Sequence, residues 1–233
     1  METTPAFYPG EVEKAKTRAK VYELLARGFL REPDMTFLHS FSRLVKAFEE
    51  EGFTVGEGPW CSPQDWEGLR QEYFDRFFVP WSDLFVPPFE SAVTGREISN
   101  GRLRYGILNG VETHHVMDCY RAVNFDPWKL DTYKPLKEMP FADYLGFELA
   151  FMAFLGYAEG EAHRKLGLTQ GLQWRRLQQD FLTQHLGLWI HDYALLARET
   201  GKGFFSSLAG IASVWVGDDC RQIQQGEKER LLS

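Results

Sequence analysis

Cysteine is scarce and scattered in this chain. Its 233 residues hold three, Cys61, Cys119 and Cys220, too far apart and odd in number for a disulfide framework or for zinc-ribbon spacing. That scarcity leads us to expect a reducing compartment and a cytoplasmic protein. A basic surplus is also lacking. Lys and Arg number 26 against 33 Asp and Glu, a formal charge of −7, so no nucleic-acid partner is expected. The most apolar run, from 147 to 158, is interrupted by Glu148 and is too short to span a bilayer, which argues against stable membrane insertion. Met1-Glu2-Thr3-Thr4-Pro5 has neither the basic nor the apolar region of a secretory signal. Enzyme signatures are missing as well: no GxSxG, HExxH or paired CxxC occurs, and Gly201-Lys202-Gly203 lacks the spacing of a phosphate loop. No alternating strand pattern with hairpin turns, internal repeat or low-complexity block is visible. No catalysis and no cofactor are expected.

What the chain does have is a globular balance of 44% apolar and 25% charged residues, with helical periodicity almost throughout. Aromatic residues reach 15%, enough for a bulky core or for an apolar-lined groove. Val12, Ala15, Ala19, Tyr22, Leu25 and Phe29 set the face of a first helix over 11–30, which Pro33-Asp34 ends. Phe37, Phe41, Leu44 and Phe48 mark a second, closed by Gly52. Ser62 and Pro63 supply an N-cap and a first helical residue for a third, carried by Trp66, Leu69, Tyr73 and Phe77. From 79 to 104 the pattern breaks at Pro80, Pro87, Pro88 and Gly95, an irregular stretch long enough to suggest a function. Helices are predicted again over 110–124, over 143–164 (apolar nearly all round, hence central), over 169–199 and over 204–218. The expected fold is all-α, a single-domain bundle of roughly eight to eleven helices. Its N-terminal part is 1–125, a hinge with Pro127, Pro135 and Pro140 is 126–142, a C-terminal part is 143–218 and a charged tail is 219–233.

Candidate chemistry is sparse. His114, His115 and Asp118 are near neighbours on one predicted helix, but adjacent histidines point different ways and read as surface residues. His185 and His191 are poorly spaced for one metal, and His185 reads as a partly buried hydrogen-bonding residue. No metal site is expected. Between Phe48 and Asp75 stand eight acids and a single base, Arg70, a solvated helix face or an attraction for a cationic ligand. Glu148 sits in an apolar helix, where an unpaired carboxylate costs several kcal/mol and calls for a partner or a raised pKa. The partner is either an internal arginine or loop group, or a bound peptide. Asp143 reads as a helix N-cap or as the edge of a binding cleft. Tyr73, Phe77, Trp81 and Phe85 suit either core or groove.

Three blocks together resemble a known family. Tyr73, Phe77, Pro87 and Ser91 in YFDRFFVPW…PPFES, the segment EMPFADYLGFEL from Glu138 to Leu149, and FLTQHLGLW from Phe181 to Trp189 are similar to the signatures of the TorD/DmsD/NarJ redox-enzyme maturation chaperones. The departures are Arg76 for the usual Leu, Trp81 where Gly is common, one added residue between Pro140 and Asp143, and Tyr144 for His. The resemblance implies a TorD-like helical fold and a non-enzymatic chaperone. It would bind the twin-arginine signal peptide, the apo form, or both, of a DMSO-reductase-type molybdopterin oxidoreductase catalytic subunit until cofactor insertion and export. Candidate peptide-binding residues are Tyr73, Phe77, Trp81, Pro87, Pro88, Phe89, Glu90, Ser91, Asp143, Tyr144, Glu148, His185 and Trp189. A guanidinium pair followed by an apolar stretch needs carboxylates beside an apolar surface. The competing reading is a helical small-ligand or nucleotide-binding regulator using the same cleft. The proline-bearing hinge leads us to expect mainly monomer with a domain-swapped dimer as minor species.

Overall fold

The computed structural model describes residues 9–52 and 65–231, with side chains described as far as Gln222. Ten α-helices and one short hairpin make up the elements among these residues, so the fold is all-α. Helix α1 (Pro9–Leu30) buries the face read from the sequence, Val12, Ala15, Ala19, Tyr22, Leu25 and Phe29. Helix α2 (Met35–Glu50) starts at Asp34, whose side chain accepts from the Phe37 N–H at 2.8 Å. It ends in a turn where Gly52 takes φ +84°, backbone space that favours glycine. Helix α3 (Trp66–Phe77) is capped by Asp65, which accepts from the Gly68 N–H. Ser62 and Pro63, the expected cap, lie outside the described residues.

The segment from 79 to 110 holds more order than its prolines suggest. A short helix α4 (Glu90–Thr94) is followed by antiparallel strands β1 (Glu97–Ser99) and β2 (Arg102–Arg104). The hairpin corrects the expectation of no hairpin turn. Its two-residue loop is Asn100-Gly101, both at positive φ, the combination a type I′ turn demands. The strands are too short, and too exposed, for an alternating pattern to stand out.

Helix α5 (Val111–Ala122), a 3₁₀ turn at Pro127–Lys129, helix α6 (Lys134–Glu138) and helix α7 (Leu145–Lys165) follow. Helix α7 is buried on nearly every side, as its composition predicts. It packs along α1 and against α8. The single helix expected over 169–199 is two, α8 (Leu168–Gln184) and α9 (Leu186–Glu199). They part at His185, whose φ −135° and ψ −102° are not helical. Apolar periodicity continues on both sides of the break, which hides it from a pattern reading. Helix α10 (Phe204–Leu231) packs on α9 and runs through the expected tail. Asp219, inside that tail, is buried and accepts from the Tyr22 hydroxyl at 2.9 Å and from Arg175 at 2.6 Å.

One ion pair splices the last two helices onto α3. Glu72 and Arg76, one turn apart, bond at 2.7 Å. Arg76, buried, donates to the carbonyls of Ala197 and Gly201 at 2.9 and 2.7 Å. Glu72 accepts from the N–H groups of Phe204 and Phe205. The cation thus meets the end of α9 and the anion the start of α10, the polarity that helix dipoles favour.

Candidate functional site

The three sequence blocks converge. Pro87 and Pro88 hold the chain extended, and Phe89 pairs with Tyr144 in an antiparallel bridge. The Glu90 N–H donates to the Asp143 carbonyl at 3.0 Å, and the Leu145 N–H to the Pro88 carbonyl at 2.9 Å. Asp143 does not cap α7; Tyr144 occupies that place and makes no side-chain cap. Its carboxylate instead accepts from the Ser91 N–H at 2.9 Å and the Thr113 hydroxyl at 2.8 Å. The expected N-cap of α7 is therefore a clamp that ties α4 to α5.

Two further carboxylates lie beside it. Glu90 meets Nδ1 of His185 at 2.8 Å, and Glu148 accepts from the Trp189 indole N–H at 3.1 Å. All four side chains are buried. Among the described residues no lysine or arginine pairs with Glu90, Asp143 or Glu148, so the internal arginine considered for Glu148 is replaced by an indole. Glu148 Oε1 is buried with no nitrogen or hydroxyl donor. Burial first, then the Glu90 and Asp143 charges and a carboxyl–carboxyl hydrogen bond with Glu90, push the Glu148 pKa well up, against the Trp189 N–H, which favours the ionised form. Burial likewise raises Glu90, against the lowering effect of His185. At His185 burial opposes protonation, but Cys119 and Glu90 outweigh it and lift the pKa to about 9. The histidine is fully buried rather than partly, and hydrogen-bonded as expected.

The remaining candidates divide. Tyr73 and Tyr144 both donate their hydroxyls to the Phe29 carbonyl, at 3.3 and 2.7 Å, satisfying an acceptor in the last turn of α1. Phe77 packs edge-on against Phe29 and Phe205. These three rings are core, closed to a ligand in this conformation. Pro87, Pro88 and Phe89 are buried supports of the cluster. Trp81 stands apart, 85% exposed. Of the acid run, Asp65 and Glu72 cap helices, Asp75 accepts from Gln71, Glu49, Glu50, Glu51 and Glu67 are exposed as on a solvated face, and Glu57 lies outside the described residues; the run's one base, Arg70, pairs with Glu32. A cavity of about 410 Å³ opens elsewhere, lined by Arg27, Arg31, Glu32, Asp34, Asp131 and Lys134. Four of its charges pair with one another, Arg27 with Asp34 and Arg31 with Asp131, and Glu32 pairs with Arg70. It is remote in chemistry from the carboxylate cluster.

Beside the site, the loop over 105–110 packs on α4, with the hairpin leading into it. The Gly106 N–H bonds to the Ala92 carbonyl at 2.8 Å, and a Cβ at Gly106 would lie 2.4 Å from the Ser91 carbonyl oxygen, so only glycine allows this approach. This flank carries Ile98, Ile107, Leu108 and Val111, all exposed. Thr113, His115 and Cys119 also face the cluster and were not singled out as its members. The only sequence trace of the last two is their spacing of one helical turn.

Residues 47–194, more than half of the chain, match the nitrate reductase delta subunit family. The chain belongs to this family. Its members are chaperones of molybdoenzyme maturation, a non-enzymatic class, and the match spans all three sequence blocks. No curated protein and no solved structure matches the chain. Among the described residues no helix is long and apolar enough to cross a membrane.

Proposed function

We propose that this chaperone binds the twin-arginine leader of its molybdopterin-containing client in the cytoplasm. The Glu90–Asp143–Glu148 cluster would take an arginine, and the apolar flank beside it would take the stretch that follows. The observation that carries this reading is Glu148 Oε1, buried with no nitrogen or hydroxyl donor in a group of three carboxylates served by one imidazole and no lysine or arginine. Such a group is costly in the free protein, and a planar guanidinium relieves that cost by donating to two oxygens at once. Access requires the 105–110 loop to lift from α4. The exposed side chains of Ile98, Ile107, Leu108 and Val111 then lie beside the opening, where the leader's apolar segment follows its arginines.

Calorimetry with a synthetic leader and its Lys-Lys version tests the proposal. An ammonium cannot copy the bidentate fork, and one charge-assisted bond is worth about 1.5–3 kcal/mol, so the Lys-Lys peptide should bind roughly ten- to a hundredfold more weakly. Equal affinities would overturn the arginine-specific site. Binding of the leaderless apo subunit alone would move recognition to the mature body of the client.

A further inference from the structure

His115 and Cys119 lie one turn apart on α5, and His185 stands at the break between α8 and α9. One ring nitrogen of each histidine and the Cys119 sulfur all fall within 4.8 Å of one another. The two imidazoles face each other, their centroids 4.6 Å apart. His185 is 2% exposed, and its buried Nε2 has no nitrogen or oxygen partner, only the Cys119 thiol close by. Buried polar atoms are rarely left so. Its other nitrogen is held by Glu90 at 2.8 Å, the carboxylate–histidine arrangement that orients metal-bound imidazoles.

We infer that His115, Cys119 and His185 form a binding site for a borderline-soft divalent metal ion, of the Zn²⁺ class, with Glu90 orienting His185 from behind. One thiolate and two imidazoles are a donor set that Zn²⁺ accepts, and three protein ligands leave a fourth position for water. Tetrahedral bond lengths put such donors about 3.5 Å apart. Closing from 4.8 Å asks for a small movement of the exposed His115 side chain, the freest of the three. On binding, the Cys119 thiol and Nε2 of the protonated His185 each give up a proton to solvent, so that the sulfur ligates as thiolate and Nε2 through its lone pair. The ion would join α5 to the α8–α9 junction beside the carboxylate cluster. The site shares Glu90 with the arginine-binding cluster, but none of its three ligands is a carboxylate, so the metal titration reads it without the leader.

The full chain, stripped with EDTA under reducing conditions, is titrated with Co²⁺ as the spectroscopic probe and then with Zn²⁺. One equivalent of Co²⁺ should give a near-ultraviolet sulfur-to-cobalt charge-transfer band with the visible bands of a tetrahedral ion, and Zn²⁺ should displace it. Cys119→Ser should abolish the charge-transfer band, while Cys61→Ser and Cys220→Ser keep it. His115→Ala, at an exposed position where folding is not at stake, should weaken binding by about tenfold or more, since even a partner behind the ligands is worth that much. Absence of the band in the wild type, its survival in Cys119→Ser, or unchanged affinity in His115→Ala would each overturn the site.

Discussion

Glu148 and Asp143 are neighbours with different duties. Both oxygens of Asp143 are occupied, by Ser91 and Thr113, whereas Glu148 has one oxygen with no nitrogen or hydroxyl donor. Glu148→Gln should therefore weaken leader binding more than Asp143→Asn. In the latter an amide can still accept from the Ser91 N–H and donate to the Thr113 hydroxyl, which rotates to suit. The pH dependence of Glu148→Gln follows from the raised pKa. Above the ordinary carboxyl value of 4.5 the unfolded chain releases its proton while the folded protein keeps it, so this group lowers stability as pH rises toward its folded pKa. Removing the charge removes that loss. The melting temperature of Glu148→Gln minus that of the wild type should grow with pH from about 4.5 and then level off. A difference that shrinks with pH would show that the ionised form is stabilised inside, and would remove Glu148 as a waiting acceptor.

At the scale of elements, the Glu72–Arg76 pair holds α3, α9 and α10 in one arrangement. Arg76 stands where the family's usual residue is leucine, yet here it supplies hydrogen bonds to two carbonyls at the end of α9. Arg76→Leu should lower stability by about 3 kcal/mol, because it leaves Glu72 without its cation and two carbonyls without donors. In a chain of this length that corresponds to a fall of roughly 6–12 °C in melting temperature. Leader affinity at the distant carboxylate cluster should be unchanged at temperatures where the variant is folded. A melting temperature within a degree or so of the wild type would mean that the splice contributes little. The α8–α9 break belongs to this scale too. It turns His185 inward to Glu90, and a continuous helix with the same apolar pattern would not place the ring there.

For the molecule as a whole, α1 packs along α7, so the first helix and the C-terminal part share a core. The connection between them is anchored: the Tyr133 N–H donates to the Leu30 carbonyl at 2.8 Å and the Trp128 indole N–H to the Met139 carbonyl at 2.9 Å. Exchange of the C-terminal helices between two copies requires the α1–α7 contact to open first. We expect monomer in light scattering, with a dimer that forms slowly and only after mild destabilisation. A fixed higher oligomer at every concentration would contradict this arrangement.

The helical class, the faces of α1 and α2, the buried α7, a Glu148 in need of a partner and a hydrogen-bonded His185 were all legible in the chain. Apolar periodicity and a carboxylate in an apolar run are local properties, and they keep their meaning in isolation. The hairpin was too short to leave a period, although Asn100-Gly101 carried its turn signal. The division of 169–199 left no apolar trace, because both halves bury the same kind of face. Which ring is core and which carboxylate lacks a donor depends on groups far along the chain. Asp143 meets Ser91 across 52 positions, and Glu90 meets His185 across 95. The meeting of His115, Cys119 and His185 is of the same kind: sequence supplies the donors, but only the packing of α5 against the α8–α9 junction decides that they share one point in space. Hydrogen bonds and coordination act over a few ångströms, and it is the burial of distant apolar faces that sets those distances.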